Sequence, residues 1–155
     1  MIVRLAGEQD MPGFADLAGQ VERWFGPMVD DPGFLAAVGR HIHRASAVVA
    51  VTADEPALLG GLLFGAKPPV YQVRWLVVSE RVRRQGVGRA LIAEAMRRFV
   101  TGPGVVEVVT FGADHPGAVA SGSRVFYEQL GFTAAQAAEP GPEGGSRQVF
   151  RKVIE

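Results

Sequence analysis

The 155-residue chain contains no cysteine, which excludes a disulfide framework, a thiol nucleophile and a zinc site built on thiolates. No stretch approaches the roughly 20 consecutive apolar residues that a membrane-spanning helix needs. Residues 1–5, Met-Ile-Val-Arg-Leu, are typical of a strand rather than of a charged and then apolar leader, so we expect no signal peptide. These features predict a soluble, cytoplasmic protein without a membrane partner.

The chain also lacks a surplus of basic residues. Its 16 lysine and arginine residues balance 16 aspartate and glutamate residues, which gives a formal net charge of +0. A nucleic-acid-binding protein normally carries an excess of positive charge, because the phosphates dominate that interaction. The balance therefore argues against a nucleic-acid partner, while the hydrophobic content of 48% argues against disorder. At this length we expect a single domain over residues 1–155.

What the sequence does contain is a strand, a glycine turn and a helix in direct succession. The apolar run from Val73 to Val78 is rich in β-branched residues and predicts a buried strand. Gly86 and Gly88 follow a short polar turn, and the apolar residues after them recur at helical spacing. The predicted apolar stripe of this helix consists of Leu91, Ile92, Ala95, Met96 and Phe99.

This succession predicts an anion site in the turn. The first amides of a helix have no intrahelical partner and carry the positive end of the helix dipole. Glycine has no Cβ, so an anion can approach the backbone closely at Gly86 and Gly88. Arg83, Arg84 and Arg89 add fixed positive charge to the same turn, and they favour an anion site over a plain strand-to-helix connection.

The spacing Arg83-Arg84-Gln85-Gly86-Val87-Gly88 resembles the R-x-x-G-x-G signature of the GNAT superfamily of N-acetyltransferases. In that family the loop wraps the pyrophosphate of acetyl-CoA, so the resemblance implies that residues 83–89 bind this co-substrate. It also implies that Leu76, Val77 and Val78 pair with the pantetheine arm, and that a backbone amide near Val77 stabilises the oxyanion. A Rossmann fingerprint would require glycine at position 91, which is leucine, and a P-loop would require a Gly-Lys-Ser/Thr sequence.

The remaining periodicities predict a mixed α/β (α+β) architecture. Helices are expected near residues 12–25 and 32–42, and strands over residues 47–51 and 58–64 precede the central strand. Beyond the glycine turn, the pattern predicts a strand at 105–111, a segment broken by glycines, a helix at 123–130 and two final strands. The order matches the GNAT fold, and the resemblance implies a mixed sheet of about seven strands flanked by about four helices.

A second motif begins at Tyr127, which precedes Glu128-Gln129-Leu130-Gly131-Phe132. It resembles the last helix of the GNAT family, whose tyrosine points at the sulfur of the co-substrate. The reaction that the resemblance implies is direct transfer of an acetyl group to an amine. An alkyl ammonium must lose a proton before it attacks, and the departing thiolate gains from a proton donor. The neutral phenol of Tyr127 suits that donor role.

The sequence departs from the family at two positions. Many members carry a glutamate on the central strand as base, but no carboxylate occupies the expected position of this strand. Many also carry an asparagine seven residues before the tyrosine, where this chain has Ala120; Ser121 or Ser123 is the candidate for the lost co-substrate contact. We expect the amine to lose its proton either through water or to His115, which follows the strand at 105–111. His41 and His43 form a His-x-His pair, but no further ligands cluster with them, so no metal is expected.

Aromatic residues and carboxylates occur together in the segments expected to face the acceptor. Aromatic faces with nearby carboxylates suit an amine on a hydrophobic body, so an arylalkylamine or similar amino compound is the predicted acceptor. Two alternatives remain open, namely a non-catalytic acyl-CoA-binding domain and an enzyme that acetylates a protein amine. We expect a monomer or a homodimer. The residues behind the acceptor prediction are Trp24, Phe25, Met28 and Trp75, with Glu22, Asp30 and Asp31.

Overall fold

The structure is a computed structural model that describes residues 1–26 and 28–155, apart from the side chains of residues 23–25. Short 3-10 turns occur at Glu8–Asp10 and Glu80–Val82. The other elements in chain order are β1 (Ile2–Leu5), α1 (Met11–Phe25), α2 (Pro32–His43), β2 (Ala47–Thr52), β3 (Glu55–Lys67), β4 (Val70–Val78), α3 (Val87–Phe99), β5 (Gly104–Phe111), α4 (Pro116–Ser121), α5 (Ser123–Gln129), β6 (Thr133–Ala138) and β7 (Arg147–Ile154).

In the described part of the chain, seven strands form one sheet in the order β1-β2-β3-β4-β5-β7-β6. The central neighbours β4 and β5 run parallel, and the other neighbouring pairs run antiparallel. The predicted mixed sheet is therefore confirmed. The helix α4 was not predicted from the sequence, because Gly117 and Gly122 indicated a segment broken by glycines. Pro116 starts this helix and Gly122 ends it in the left-handed conformation, with a φ of 69°.

Two apolar layers cover the two faces of the sheet. One layer contains α3 and α5 and includes Leu91 and Tyr127, both of which are buried against the sheet. The other contains α1 and α2 and includes Phe14 and Val38, both fully buried. Because each such side chain contributes about 1.5–3 kcal/mol when it leaves water, these layers hold the helices in place on the sheet.

A β-bulge in β4 changes the face to which its residues point. Trp75 pairs with Leu63 on β3, and Val73 pairs with the next residue, Phe64, so Arg74 is one residue too many on its strand. A regular strand would place Val73 and Trp75 on the same face. Because of the bulge, Val73 packs in the α3 layer and Trp75 in the α1–α2 layer.

Candidate active site

The strands β4 and β5 separate beyond the pair formed by Val73 and Val108. Because β4 stays paired with β3 as far as Val78, its other edge becomes free. A groove of about 710 Å³ occupies the gap and continues over the start of α3. Residues of α1, β4, β5, α3, α4 and α5 line it, so the helices that carry both sequence motifs meet there.

The free edge of β4 presents backbone amides to the groove. The Ser79 amide donates to the Leu59 carbonyl on β3 at 2.8 Å. Because the amides of a strand point alternately to its two sides, the Val77 amide also points to β3. The amides and carbonyls of Leu76 and Val78 therefore point to the side where β5 has separated. The available donors near Val77 are thus those of Leu76 and Val78.

The turn before α3 has the features of an anion site. Gly86 has a φ of 84° and Arg84 has a φ of 64°, so both adopt the left-handed conformation. The first helical hydrogen bond runs from the Ala90 amide to the Gly86 carbonyl at 3.0 Å. The three amides before Ala90 therefore have no acceptor within the helix. No described atom lies within 4 Å of the place where a Cβ of Gly86 would be, so a ligand has room beside the backbone.

The two glycines of the motif serve different purposes. A Cβ on Gly88 would lie 3.0 Å from two ring carbons of Phe126 and 3.5 Å from a methyl group of Val78. Gly88 is buried and allows α3 to pack closely against α5 and β4. We expected open space for an anion at both glycines, but the structure has it at Gly86 and not at Gly88. The remaining motif residues, Arg83, Arg84, Val87 and Arg89, line the groove, and Gln85 is exposed in the same turn.

Tyr127 lies in the groove with its ring in the apolar layer. The side chain is 5% exposed, and its ring meets the rings of Phe126 and Phe132 edge-on at 5.0 and 5.5 Å. The hydroxyl has no hydrogen-bond partner among the described residues. Burial raises the pKa of Tyr127, so the phenol keeps its proton at neutral pH. The residue is therefore a neutral donor with a free hydroxyl.

His115 lies outside the groove that contains Tyr127. Its ring stacks on Phe111, with 4.4 Å between the ring centroids, and Phe111 separates it from the groove. The Gly117 amide donates to Nδ1 at 2.8 Å, so in the neutral ring the proton is on Nε2. That nitrogen lies 3.4 Å from a carboxylate oxygen of Glu143. The structure does not bring His115 and Tyr127 together, and neither ring nitrogen of His115 has a lone pair available to the groove.

Ser123 lines the groove, and a hydrogen bond from Thr110 holds its hydroxyl in place. Its hydroxyl oxygen accepts from the Thr110 hydroxyl at 2.7 Å, which leaves its own hydrogen to donate elsewhere. Ala120, at the position of the family's asparagine, also lines the groove. The contact with Thr110 was not apparent from the sequence, because the two residues lie on different elements.

The residues predicted to face the acceptor differ in their burial and in their hydrogen-bond partners. Trp75 packs between Phe14 and Phe34, at centroid distances of 5.8 and 5.4 Å, and is half-buried against the α1–α2 layer. The Glu22 carboxylate accepts from the amides of residues 28 and 29, and Asp31 caps α2 through the amide of residue 33. Met28 packs against the same layer, Asp30 is exposed, and the side chains of Trp24 and Phe25 lie outside the described residues.

Neither a metal site nor a membrane-spanning helix is found among the residues that the structure describes. Among residues 1–26 and 28–155, no group of three histidine, aspartate or glutamate side chains is arranged to hold a metal ion. None of the helices in this part of the chain combines the length and the apolar character that crossing a bilayer requires.

The model of the GNAT acetyltransferase domain family matches residues 43–134, which contain β2 to β5 and the whole of α3, α4 and α5 and end within β6. The chain belongs to the GNAT acetyltransferase family. Membership makes the protein an N-acetyltransferase with acetyl-CoA as its acetyl donor, and it confirms the resemblance of the two motifs. A search of curated protein sequences finds no significant match.

Solved structures show the same fold over the full chain. A GNAT-family protein from Desulfovibrio desulfuricans has a TM-score of 0.75 at 20% identity, covering 99% of this chain and 98% of that one. Ribosomal-protein-alanine N-acetyltransferase from Brucella melitensis has a TM-score of 0.72 at 17% identity, covering 99% and 100%. An aminoglycoside 6′-N-acetyltransferase solved with coenzyme A has a TM-score of 0.75 at 19% identity, covering 100% and 98%. Because two of these proteins are named for different acceptors, the fold does not select the acceptor.

Proposed function

We propose that this enzyme transfers the acetyl group of acetyl-CoA directly to the primary amine of a small molecule with a hydrophobic body, such as an arylalkylamine or similar amino compound. The observation that carries the proposal is the groove itself. It combines free backbone donors on β4 with the unpartnered hydroxyl of Tyr127. These are the two kinds of group that an acyl transfer from a thioester requires.

Acetyl-CoA binds along the groove from the α3 turn to the end of β4. The free amides at Val87–Arg89 and the guanidinium groups of Arg83, Arg84 and Arg89 hold the pyrophosphate, supported by the open space at Gly86. The pantetheine arm pairs with the free backbone groups of Leu76 and Val78, much as a strand would. Ser123 donates its remaining hydrogen to the co-substrate.

The reaction needs a negative charge stabilised at one place and a proton delivered at another. The amine lone pair attacks the thioester carbonyl carbon, and the oxygen takes the negative charge, which a β4 amide from Leu76 or Val78 stabilises. The nitrogen, which becomes positively charged in the attack, gives up a proton to water. When the carbon–sulfur bond breaks, the sulfur takes a proton from the Tyr127 hydroxyl. Solvent then restores the proton to Tyr127. The raised pKa of Tyr127 makes its phenolate a transient species and drives this reprotonation.

The amine loses its proton to water in this proposal. Among the described residues, no carboxylate and no imidazole lines the groove, and His115 lies beyond Phe111 with its Nδ1 occupied. The expected role of His115 as a direct base is therefore not part of the mechanism. Because a free alkyl ammonium has a pKa near 10, water-mediated loss predicts a rate that rises with pH through the neutral range.

The acceptor end of the groove favours a hydrophobic amine. Val21 of α1, Val77 of β4 and Phe111 of β5 contribute its apolar side chains. No carboxylate is among the described residues that line the groove, so the described lining lacks the dense acidic character that a polyamine or aminoglycoside would need.

The test is a set of initial-rate measurements with purified enzyme and acetyl-CoA. The acceptors are arylalkylamines, polyamines, aminoglycosides and peptides with free N-termini, and each reaction is repeated with the Tyr127→Phe variant. We expect the highest kcat/KM for an arylalkylamine, and a strong loss in the variant. Exclusive activity on polyamines or aminoglycosides would contradict the apolar-acceptor proposal, whereas exclusive activity on peptides would identify a protein amine as the acceptor instead.

A further inference from the structure

The helix that carries Tyr127 is too short to hold its own position. α5 spans the seven residues Ser123–Gln129, and Gly122 separates it from α4 with a left-handed φ of 69°. A helix of this length is unstable by itself, because the cost of nucleation is not recovered over so few hydrogen bonds. The position of the Tyr127 hydroxyl in the groove therefore depends on the contacts that join α5 to the sheet.

Arg124, one turn before Tyr127, joins α5 to two strands. Its Nη1 donates to the carbonyl of Phe111, the last residue of β5, at 3.0 Å. The same nitrogen donates to the side-chain oxygen of Gln148 on β7 at 2.7 Å. The guanidinium carbon lies 4.9 Å from the centroid of the Phe150 ring, a cation–π distance. One side chain thus connects the start of α5 with the ends of both strands.

The network continues beyond Arg124. Gln148 donates from its amide nitrogen to the Ala135 carbonyl on β6 at 2.8 Å, which fixes the orientation of its oxygen toward Arg124. Thr110, the partner of Gln148 across β5 and β7, donates to Ser123 at 2.7 Å. Two adjacent residues of α5 are therefore anchored to one register position of the sheet.

We propose that Arg124 is a positioning residue that aims the Tyr127 hydroxyl at the thioester sulfur, an inference that rests on the proposed role of Tyr127. Arg124 is not among the described residues that line the groove, so it acts through α5 rather than on either substrate. A misplacement of about 1 Å can cost on the order of 10²-fold in rate, whereas the free amides of the phosphate turn belong to α3, which packs on the sheet through its own buried side chains. Loss of the anchor is therefore expected to lower kcat and to leave CoA affinity intact.

The experiment is a double-mutant cycle between Arg124 and Tyr127, with kcat and the Kd for CoA measured for every variant. Arg124→Met keeps an unbranched apolar stem over Phe150 and removes the donors. We expect it to lower kcat about 10-fold in the parental enzyme and less than about 2-fold in the Tyr127→Phe background, with the Kd for CoA changed by less than about 2-fold. Arg124→Lys, whose ammonium still donates, is expected to recover most of the lost kcat.

The outcomes separate this inference from the proposed function. Equal losses of kcat in the two backgrounds, or parental kcat in Arg124→Met, would overturn the positioning role while leaving Tyr127 as the acid. Parental turnover in Tyr127→Phe would refute the acid role and the inference with it. If Arg124→Met does not fold, Gln148→Met enters the same cycle, because it removes one of the two oxygens that accept from Arg124. A smaller loss of kcat that disappears with Tyr127→Phe is then expected, and an additive or absent loss overturns the inference.

Discussion

The close packing at Gly88 leads to a prediction that opposes the usual effect of replacing glycine in a helix. A methyl group on Gly88 would lie 3.0 Å from two ring carbons of Phe126, whereas carbon atoms are most stable about 3.5–4.0 Å apart. The ring would have to retreat by about 0.5 Å or more, and it cannot do so freely because it contacts Tyr127 at a centroid distance of 5.0 Å. Overpacking of this kind costs about 1–3 kcal/mol.

Alanine also has an intrinsic advantage over glycine in a helix, worth up to about 1 kcal/mol, which offsets part of this cost. With the full offset, the net loss for Gly88→Ala is up to about 2 kcal/mol, or a fall in Tm of up to about 8 °C for a domain of this size. Gly39, inside α2, is the matched control. No described atom lies within 4 Å of its missing Cβ, so Gly39→Ala is expected to raise Tm slightly.

The assay is thermal unfolding followed by circular dichroism for the parental protein and both alanine variants. The two substitutions are expected to shift Tm in opposite directions. A Gly88→Ala protein that melts at or above the parental temperature would refute this expectation, because the contact with Phe126 would then have no energetic consequence.

Three further predictions concern the groove and the pH dependence of stability. Gly86→Ala places a methyl group in the open space of the phosphate turn. It is expected to raise the Kd for CoA about 10-fold or more in calorimetric titration, because a charge-assisted hydrogen bond is worth about 1.5–3 kcal/mol. An unchanged Kd in a folded variant would exclude the turn as the anion site. Tyr127→Phe is expected to lower kcat on the order of 10²-fold at unchanged CoA affinity, and parental turnover would reduce Tyr127 to a packing residue. Burial lowers the pKa of His41, as do nearby arginines, against the opposing effect of the Ala37 carbonyl. The contribution of His41 to stability is therefore present above its unfolded pKa near 6.5 and is lost as pH falls below that value. His41→Asn is expected to reduce the fall in Tm between pH 7.5 and pH 5.5. An identical fall in both proteins would exclude His41 as a source of acid sensitivity.

Much of the fold and part of the site follow from local features of the sequence. The order of elements could be predicted because apolar periodicity reports the secondary structure of each segment by itself. The glycine turn before α3 could be predicted because Gly86 and the arginines around it lie within a few residues of each other. Tyr127 was recognisable because its motif is contiguous. In each case the residues that matter lie close together in the chain.

Other properties depend on strand pairing and on packing between distant segments. The bulge at Arg74 and the separation of β4 from β5 decide that Leu76 and Val78, rather than Val77, present free amides to the groove. An apolar run does not reveal a bulge, because each of its residues is compatible with either face.

The same reason explains the placement of the remaining site residues. Gly88 serves packing instead of anion binding because Phe126 of α5 lies against it, and His115 is separated from the groove because Phe111 lies between them. Arg124 meets Phe111 and Gln148, which are 13 and 24 residues away in sequence, so nothing local indicated the anchor. The sequence by itself determined the chemistry available to the chain, and the tertiary structure decided which groups face the groove, because that depends on contacts between residues far apart in the chain.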